Sequence, residues 1–388
     1  MTEALDQLRI VAVSQNIWDG QWMNRQHMMW AMQKRCEVLY VQEPEGWGQS
    51  IPPRDESVAI PRLDRRSENL AVLRLPKLLA SRSVSGAWNQ TVSSFKARLI
   101  RRYAQKTHAT ATVAYVWQPE LWHYVRALRP TVSVYHLFDL VDYYYQESYK
   151  NHPVRAAFEA ACREADIVLA GTSAQASYIP RSDVEILPNA VPLDWYNDSA
   201  VEPPDLALIP RPRVGYVGSI NRKLDLGWLE AISSRPKLHL VLVGPLGELS
   251  PEQMKRLGRI RDRPNVHYLG PKPAREVPLY TCHLDVGLLC YRRSTHMEFA
   301  SPLKLYEYCA ARIRIVAAPL TALLQEDQIK TFVTFAEEPE SAAQAVEDLA
   351  MAGSNTHALE QRRFAEENSW DVRAEKLTQL IIKRLSTR

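Results

Sequence analysis

The chain has 388 residues and a formal net charge of +4, with 46% hydrophobic and 24% charged residues. This length is too great for one ordinary core and favours two domains of similar size, and the residue balance is that of a soluble globular protein. No run of about 18 apolar residues occurs, which excludes a spanning helix. The opening stretch MTEALDQLRIVAVS lacks the basic start of a signal peptide, so we expect a cytoplasmic protein.

The cysteines are five in number and scattered, and they form no C-x-x-C pair: Cys36, Cys162, Cys282, Cys290 and Cys309. We expect reduced, mostly buried thiols that fill space rather than catalyse. The sequence also contains no G-x-G-x-x-G fingerprint and no Walker A loop. It therefore offers no support for a dinucleotide-binding site or a P-loop.

In chain order, strand and helix patterns alternate, which predicts parallel sheets with helices on both faces. A helix is predicted over residues 22–34 and another over 154–165, and the Pro-, Gly- and charge-rich residues 43–69 are predicted to form a surface excursion. The strands predicted in the first half are 9–14, 37–42, 69–75, 112–117, 131–139, 166–171 and 184–188.

Basic residues are concentrated between residues 51 and 110, where twelve Lys and Arg stand against four acids. Such a surplus suggests a partner or an anionic membrane surface. The region includes a predicted amphipathic helix, which either lies on a membrane or packs on the sheet as an ordinary surface helix. Its apolar positions are Trp88, Val92, Phe95, Leu99 and Tyr103, and Lys96 is assigned to its other faces. No recognised nucleic-acid-binding module is present, so we expect no nucleic-acid partner.

The strand predicted over residues 131–139 runs into polar and aromatic residues, among them His136 and Asp139. Ligands of open parallel sheets bind beyond the carboxyl ends of the strands, so chemistry is expected here. A structural hydrogen bond at a strand end is the alternative for either residue.

The second half repeats the alternating pattern after a Pro-rich segment. We predict an N-terminal domain over 1–190, a linker over 191–212, a C-terminal domain over 213–368 and a last helix over 369–388 that packs back toward the N-terminal domain. The strands predicted in the second half are 213–219, 238–244, 265–270, 285–291, 313–319 and 331–336.

The segment 298–319, EFASPLKLYEYCAARIRIVAAP, predicts a loop, a short helix and a buried strand. Ser301 followed by Pro302 is typical of a helix start, with the serine as N-cap. Lys304 then lies in the first turn, where a cation faces the positive end of the helix dipole unless an anion is also bound. The alternative is a surface ion pair between Lys304 and Glu307, worth about 0.3 kcal/mol.

Five ordered motifs over roughly 200 residues resemble those of GT-B glycosyltransferases. They are ILPNAVPLDWY (186–196), RVGYVGSINRKLD, PNVHYLGPKPAREVPLYTCHLDVGLLCY, SPLKLYEYCAARIRIVAAP and NSWDVRAEKL. The first half resembles the family mainly in its strand order and at SVYHLFDLVD. The resemblance implies an α/β fold of two facing Rossmann-like domains, with an acceptor-binding first domain and a donor-binding second domain.

The resemblance also implies roles for individual residues. Lys304 is the expected partner of the donor's phosphates, and Glu307 the expected acceptor of ribose hydroxyl hydrogens, which suits a cation and a carboxylate. The loop GSINRK brings backbone N–H groups and two cations toward the phosphates, although these cations can equally belong to a solvated loop. The complete set of expected donor-binding residues is Gly218, Ser219, Arg222, Lys223, Gly270, Pro271, Ser301, Lys304, Leu305 and Glu307.

The chain departs from the family pattern in three places. Retaining members usually have two glutamates with seven residues between them, whereas Glu298 and Glu307 have eight between them. Arg312 stands where the family has a helix-ending glycine, and Arg314 where it has a proline. A residue other than glycine in a left-handed cap costs about 1 kcal/mol.

The mechanism expected from the resemblance uses no metal and no cofactor, since GT-B enzymes rely on cationic side chains and helix ends, and no D-x-D triplet occurs. Asp139 lies where some inverting members, of exopolysaccharide glucuronosyltransferase type, have a general base, and His136 where retaining members have a histidine near the donor sugar. Which of the two acts stays open.

The predicted function is sugar transfer from a UDP- or GDP-sugar to a hydroxyl of a saccharide or lipid-linked acceptor. Such an enzyme of bacterial polysaccharide assembly is expected in the cytoplasm or at the inner face of the cell membrane, which the basic region 51–110 would contact. A catalytically silent nucleotide-sugar-binding scaffold and a GT-B-like nucleotide-sugar epimerase are the alternatives.

Overall fold

The computed structural model describes residues 7–44, 58–80, 86–104, 109–138, 153–197 and 201–387. The chain divides into two compact units, which are described separately. The first is formed by Met1–Pro188 together with Asp371–Arg388, and the second by Asn189–Trp370. The whole of the predicted linker, residues 191–212, falls within the second unit.

The first unit is built on an eight-stranded sheet with the order β3-β4-β2-β1-β5-β6-β7-β8. The strands pair in parallel, except that β3 runs antiparallel to β4. They are β1 (Leu8–Ser14), β2 (Glu37–Gln42), β3 (Arg62–Arg65), β4 (Leu70–Arg74), β5 (Ala111–Val116), β6 (Val132–Leu137), β7 (Ile167–Ala170) and β8 (Glu185–Ile186).

The residue pattern of each strand agrees with its position in this sheet. The central strands are continuous apolar runs, such as IVAV in β1, because helices cover both faces of a parallel sheet. Seven of the eight strands agree with the prediction. The prediction missed β3, which lies inside the expected surface excursion, because its sequence Arg-Leu-Asp-Arg is typical of a charged, exposed edge strand.

The helices of the first unit join successive strands or close the chain. They are α1 (Asn24–Met32), α2 (Gly86–Ala104), α3 (Trp122–Leu128), α4 (Pro153–Glu164), α5 (Ser173–Tyr178) and the residues of the last helix beyond Trp370. Short 3-10 turns occupy Lys77–Leu79 and Pro119–Leu121. The core between helices and sheet is made of buried Val, Leu, Ala and aromatic side chains.

The predicted apolar face of α2 is wrong in part. Phe95 is 54% exposed, whereas Lys96 is fully buried beside Val92 and Ala97. Lys96 Nζ lies 2.7 Å from Glu43 Oε2, just after β2, and 5.5 Å from the ring centre of Tyr124. The helix is rotated so that this buried carboxylate receives a counter-ion.

The second unit contains a six-stranded parallel sheet with the order β11-β10-β9-β12-β13-β14. All six strands were predicted. They are β9 (Arg213–Val217), β10 (His239–Val243), β11 (Val266–Gly270), β12 (Val286–Leu289), β13 (Arg314–Ala317) and β14 (Val333–Phe335).

The helices of the second unit follow its strands in the expected alternation. They are α6 (Pro204–Ala207), α7 (Leu226–Ser233), α8 (Pro251–Arg261), α9 (Val277–Thr281), α10 (Thr295–Glu298), α11 (Leu303–Ala310), α12 (Thr321–Leu324), α13 (Pro339–Met351) and α14 (Ala358–Glu367). Turns of 3-10 type occupy Leu193–Trp195 and Asp327–Ile329.

The last helix, α15 (Trp370–Ser386), returns the chain to the first unit. Its acidic side chains form ion pairs with the end of α1, where Lys34 contacts Asp371 and Arg35 contacts Glu375. Near its other end, Arg384 contacts Asp166 before β7. These ion pairs therefore hold α15 against the end of α1 and the start of β7 in the first unit.

Three further observations apply to the described part of the chain. None of its helices is long and apolar enough to cross a membrane. No group of three or more His, Cys, Asp or Glu side chains within it has the arrangement of a metal site. All five cysteines are free thiols and four of them are buried, as predicted.

Candidate functional site

A change of direction in the second sheet creates a crevice. From β9 the chain moves outward to β10 and β11, and it then returns to the other side of β9 to form β12. In open parallel sheets, ligands bind at the carboxyl ends of the strands where the order reverses in this way. The residues that follow β9 and β12 are the loop containing Gly218 and the segment leading to α11.

Helix α11 begins at Leu303 with Pro302 as its N-cap residue, one position later than predicted. Ser301 is therefore not the cap. Its hydroxyl lies 3.1 Å from the Tyr306 hydroxyl, and its carbonyl accepts a 2.5 Å hydrogen bond from Asn189 Nδ2. Leu305 N donates to Pro302 O at 3.1 Å. Because no side chain caps the helix, the N–H groups of Leu303 and Lys304 have no acceptor among the described residues and are available to an anion.

Lys304 lies in the first turn of α11, and its ammonium is 5.0 Å from the ring centre of Tyr216 at the end of β9. Its Cε and Nζ occupy the space that a side chain at position 218 would need. Within the described part of the chain, no carboxylate is within ion-pair distance of Lys304. The alternative of a Lys304–Glu307 ion pair is thus not what the structure shows.

Glu307 lies one turn further along α11 and is half-buried. Burial raises the pKa of its carboxyl, and the nearby positive charge of Lys304 partly opposes that rise. Among the described residues, its carboxylate accepts no hydrogen bond. The pair therefore offers a cation and a hydrogen-bond acceptor on one helix face, as their spacing of three predicts.

Tyr308 and Gly287 hold α11 against the sheet. The Tyr308 hydroxyl accepts from Val217 N at 3.3 Å and donates to Leu288 O at 3.4 Å, which ties the helix to the ends of β9 and β12. A Cβ at Gly287 would meet the Tyr308 ring at 2.6 Å, so the close approach needs glycine. The side chain of Leu305 is buried in the core of the second unit and helps to hold α11 in place, and its predicted contact with the donor stays a prediction.

Three adjacent strands, β9, β10 and β11, end at or just before a glycine with positive φ, and the first of these glycines, Gly218, lies beside Lys304. The values are 148° at Gly218, 139° at Gly244 and 70° at Gly270. Gly218 N donates to Val243 O at 2.7 Å, and Gly244 N donates to Gly270 O at 2.8 Å. A Cβ at Gly244 would collide with the Gly218 carbonyl. Backbone therefore approaches backbone here, which requires glycine.

The predicted phosphate loop, GSINRK, makes hydrogen bonds of its own. Ile220 N and Arg222 N donate to Pro245 O and Glu248 O, each at 2.9 Å, so these groups do not point at a ligand. Ser219 N has no acceptor within the described residues. The exposed Arg222 lies 3.8 Å from Glu248, and Lys223 is half-buried.

The loop predicted to contact the nucleotide base follows β11. Pro271 is exposed, and Lys272 forms a 2.6 Å ion pair with Asp205 Oδ2. Tyr280 donates a hydrogen bond to the other carboxylate oxygen of Asp205 at 2.9 Å. Lys272 is thus held by an acidic partner within the second unit, and the predicted contact of Gly270 and Pro271 with the base stays a prediction.

Two of the residues at which the chain departs from the family pattern, Glu298 and Arg312, have defined surroundings in the structure. Glu298 accepts hydrogen bonds from Thr321 N and Oγ1, both at 2.7 Å, and from Arg293 Nε at 3.0 Å. Burial alone would raise the pKa of Glu298, but these hydrogen bonds together lower it. Arg312 keeps the left-handed conformation that glycine has in the family, with φ of 55°.

His136 lies at the end of β6 in the first unit and is fully buried. Its Nε2 donates to Leu187 O at 3.1 Å, so Nδ1 accepts from the Tyr115 hydroxyl at 2.5 Å. Burial, with a smaller contribution from the charge of Arg25, lowers the pKa of His136 to about 3, although the hydrogen bond to Leu187 acts in the opposite direction. In this arrangement neither ring nitrogen is available to a substrate.

Asp139, the other predicted catalytic residue, lies outside the described residues. The catalytic roles of His136 and Asp139 therefore stay predictions. The predicted donor-binding residues all belong to the second unit, where Gly218 and Lys304 are in contact. Tyr216, Tyr308 and Gly287 were not assigned a site role from the sequence, although a glycine inside a buried strand is a recognisable sign of close approach.

Comparison of the sequence with known proteins gives one relative and no family. No family model matches the chain. TuaH of Bacillus subtilis (strain 168), named as a glycosyltransferase of teichuronic acid biosynthesis, is 28% identical over 199 residues, which are 49% of this chain and 49% of TuaH. The chain thus matches about half the length of this curated relative.

Comparison of structures gives likenesses over nearly the whole chain. Sucrose-phosphate synthase from Thermosynechococcus elongatus has a TM-score of 0.74 at 14% identity and covers 98% of this chain and 100% of its own. Anabaena HepE in complex with UDP-glucose has a TM-score of 0.66 at 15% identity and covers 97% and 99%. An α,α-trehalose-phosphate synthase (UDP-forming) from Burkholderia xenovorans, in complex with glucose-6-phosphate, has a TM-score of 0.68 at 12% identity and covers 96% and 99%.

These structural likenesses show the fold. The chain has the α/β fold of GT-B glycosyltransferases, with two sheets of mostly parallel strands. The fold predicted from the five sequence motifs is therefore confirmed.

Proposed function

We propose that the chain is a glycosyltransferase that transfers a sugar from a UDP-sugar to a hydroxyl group of a saccharide or lipid-linked acceptor. One observation carries the proposal. Lys304 lies without a carboxylate partner among the described residues, over Tyr216, at the crevice where the order of the second sheet reverses. A half-buried cation in that place needs an anion, and a diphosphate provides one.

The leaving group explains the choice of residues. When the bond between the anomeric carbon and the diphosphate oxygen breaks, the electron pair stays with UDP and negative charge accumulates on its phosphates. The Lys304 ammonium and the uncapped first turn of α11 stabilise that charge. The N–H of Ser219 and the loop cations Arg222 and Lys223 add donors on the other side of the crevice.

The nucleoside is recognised further along the same surface. Glu307 accepts hydrogen bonds from the ribose hydroxyls, and the backbone of Gly270 and Pro271 contacts the base. We assign UDP rather than GDP because HepE binds UDP-glucose in its complex and the trehalose-phosphate synthase is UDP-forming.

Transfer also needs a base for the acceptor. The acceptor oxygen bonds to the anomeric carbon as UDP leaves, and its proton passes to a base, for which we propose Asp139 in the first unit. We propose no metal and no cofactor, because Lys304 and the helix end take the role of the cation. His136, neutral and buried, supports the end of β6 on this proposal.

The test is a two-step assay on the full chain. UDP, GDP and UDP-sugars are first compared by thermal shift, since a bound ligand raises the melting temperature. UDP release from the best donor is then measured with and without acceptors, among them glucose, glucuronic acid, glucose 6-phosphate and a polyprenyl diphosphate sugar. We expect release that depends on an acceptor. The Lys304→Ala variant should lose about 10²–10³-fold in turnover and bind UDP more weakly.

The matched control is Lys330→Ala, because Lys330 is exposed and pairs with Asp327 in the same unit. It should leave turnover and UDP binding unchanged. Unchanged kinetics in Lys304→Ala would contradict the donor site, and full turnover in Asp139→Asn would remove that residue as the base. Binding of UDP without transfer to any acceptor would support the silent scaffold. Conversion of the donor sugar without an acceptor would support an epimerase.

We also propose that the first unit contacts an anionic membrane surface at the cytoplasmic face. Several basic residues of region 51–110 are neutralised internally, since Arg66 and Arg74 pair with Asp19 and Lys96 pairs with Glu43. The exposed cations Arg98 and Arg102 remain on α2, together with the exposed Phe95. An apolar ring among cations suits an anionic lipid surface.

Co-sedimentation with vesicles tests this contact. The chain should bind vesicles that contain phosphatidylglycerol and not vesicles of phosphatidylcholine alone, and Phe95→Ser should reduce the bound fraction several-fold. Leu359→Ser is the control, because Leu359 is 82% exposed in the second unit. Equal binding by both variants and the unmodified chain would contradict a contact through α2.

A further inference from the structure

The first sheet has a reversal of its own. From β1 the chain moves to β2 on one side, whereas β5 lies on the other side of β1 and leads on to β6. The carboxyl ends of β1 and β5 therefore border a second crevice of the kind in which parallel sheets bind ligands. The residues that reach it are Asn24 and Arg25, at the start of α1, and Trp117 and Gln118, directly after β5.

Arg25 is a cation without an ion-pair partner in the part of the chain that the structure describes. It is half-buried, and its guanidinium carbon lies 5.9 Å from the ring centre of Trp117. The cations beyond the other end of α1 are different, since Lys34 pairs with Asp371 and Arg35 with Glu375. A guanidinium that lies over an aromatic ring still has N–H groups to donate to a carboxylate or a phosphate.

Buried polar atoms around Arg25 also lack partners. Asn24 is 5% exposed and Trp117 is 3% exposed, yet Asn24 Oδ1, Trp117 Nε1 and Gln118 Oε1 have no hydrogen-bond partner among the described residues. Buried polar groups are nearly always bonded, so such a group of atoms from two loops calls for an explanation. A bound ligand with both oxyanion and hydroxyl groups would satisfy them.

We propose that Arg25, Asn24, Trp117 and Gln118 bind the acceptor, and that the acceptor is a sugar carrying an oxyanion group, either a carboxylate or a phosphate. Arg25 and the indole N–H of Trp117 donate to the oxyanion, while the amide oxygens of Asn24 and Gln118 accept from neighbouring hydroxyls. That the bound sugar is the acceptor of a transfer reaction rests on the proposed function. The site itself is defined by these four residues.

Calorimetric titration of the full chain tests the site without any transfer reaction. The ligands are glucose 6-phosphate, glucuronic acid and glucose at equal ionic strength. At least one anionic sugar should bind ten or more times as tightly as glucose, and which of the two binds identifies the oxyanion as phosphate or carboxylate. Arg25→Met should weaken anionic binding at least tenfold, Arg25→Lys less, and Trp117→Phe about threefold.

Two controls keep the outcomes separate. Lys34→Met removes another cation near the same helix and should leave the binding of anionic sugars unchanged. A loss of binding in Lys34→Met would indicate non-specific attraction by positive charge. UDP titration should be the same for Arg25→Met and the unmodified chain. Failure of the unmodified chain to bind UDP would reject the proposed function but not the anion site. Equal binding of all three sugars, or full anionic binding by Arg25→Met, would overturn the inference. If Arg25→Met does not fold, Arg25→Lys and Trp117→Phe decide it.

Discussion

Lys96 in the first unit and Lys304 in the second are both helix lysines that lie near a tyrosine ring, at 5.5 Å from Tyr124 and 5.0 Å from Tyr216. They differ in what balances their charge. Lys96 is fully buried and lies 2.7 Å from Glu43, whereas Lys304 is half-buried and has no carboxylate within ion-pair distance among the described residues.

The presence or absence of an ion-pair partner distinguishes a lysine with a structural role from a lysine that can bind a ligand. A buried ion pair is costly to break but has no attraction left for anything else. A half-buried cation at a reversal point of a sheet keeps its attraction for an anion. The surroundings of a lysine, rather than its residue type or its place on a helix, therefore indicate its role.

The largest expected effect is on stability. Lys96→Met should lower the free energy of unfolding of the first unit by about 3–5 kcal/mol, because it leaves the Glu43 carboxylate buried without a counter-ion. Chemical denaturation followed by fluorescence measures it. The double variant Glu43→Met with Lys96→Met should recover most of the loss, since both charges are then gone.

The control for Lys96 is Arg98→Met, on the same helix but exposed. It should change stability by no more than about 0.5 kcal/mol. A loss for Lys96→Met as small as that would show that the buried Glu43 carboxylate does not need Lys96 as its counter-ion, and the contrast between Lys96 and Lys304 would be contradicted.

The next largest effect is expected at Gly218. Gly218→Ala should weaken UDP binding by about ten- to a hundredfold, or roughly 1.4–2.8 kcal/mol, because the new Cβ takes the space of Lys304 Cε and Nζ. Its φ of 148° also strains any residue other than glycine. Titration with UDP measures the change.

Gly258→Ala is the matched substitution, since Gly258 lies within α8 and a Cβ there meets nothing within 4 Å. It should leave UDP affinity unchanged. Normal UDP binding by Gly218→Ala would mean that the position of Lys304 does not matter to the donor, and the site proposed around it would be contradicted.

The smallest effect concerns pH. Burial raises the pKa of Glu307, so its carboxyl takes up a proton at a higher pH than an exposed glutamate does. The protonated form is a poorer acceptor for ribose hydroxyls, so UDP affinity should fall as the pH is lowered from 7.5 toward 5, by up to about tenfold. Glu307→Gln cannot titrate and should remove this decrease, whereas Glu366→Gln should keep it. A decrease of equal size in Glu307→Gln would assign it to another group.

Much of the fold could be predicted because its signals are local. Thirteen strands of the two sheets are short apolar runs ended by polar or glycine-containing loops, and only β3, with its charged edge sequence, was missed in the described chain. Lys304 and Glu307 were singled out by their spacing and by the motif around them. Such features need no knowledge of distant residues.

The errors arise where a residue's partner is far away in the sequence. Lys96 was assigned to a solvent face because periodicity treats lysine as polar, whereas Glu43, its partner, is 53 residues away. The grouping of Arg25 with Trp117 was missed for the same reason. The two residues are far apart in the sequence, and only the pairing of β1 with β5 brings the segments that follow these strands together. Ser301 was predicted to cap α11, but Tyr306 and Asn189 hold it instead.

The two places where the chain passes between the units are bonded to each other. Val191 N donates to Asn368 O, and Trp370 N donates to Val191 O, both at 3.1 Å. The second unit is therefore an insertion whose two ends meet, and the first unit is interrupted by it. During synthesis, residues 371–388 emerge after the second unit, yet they supply the ion pairs of α15 with Lys34, Arg35 and Asp166. We conclude that the first unit finishes folding only after the whole second unit has been made.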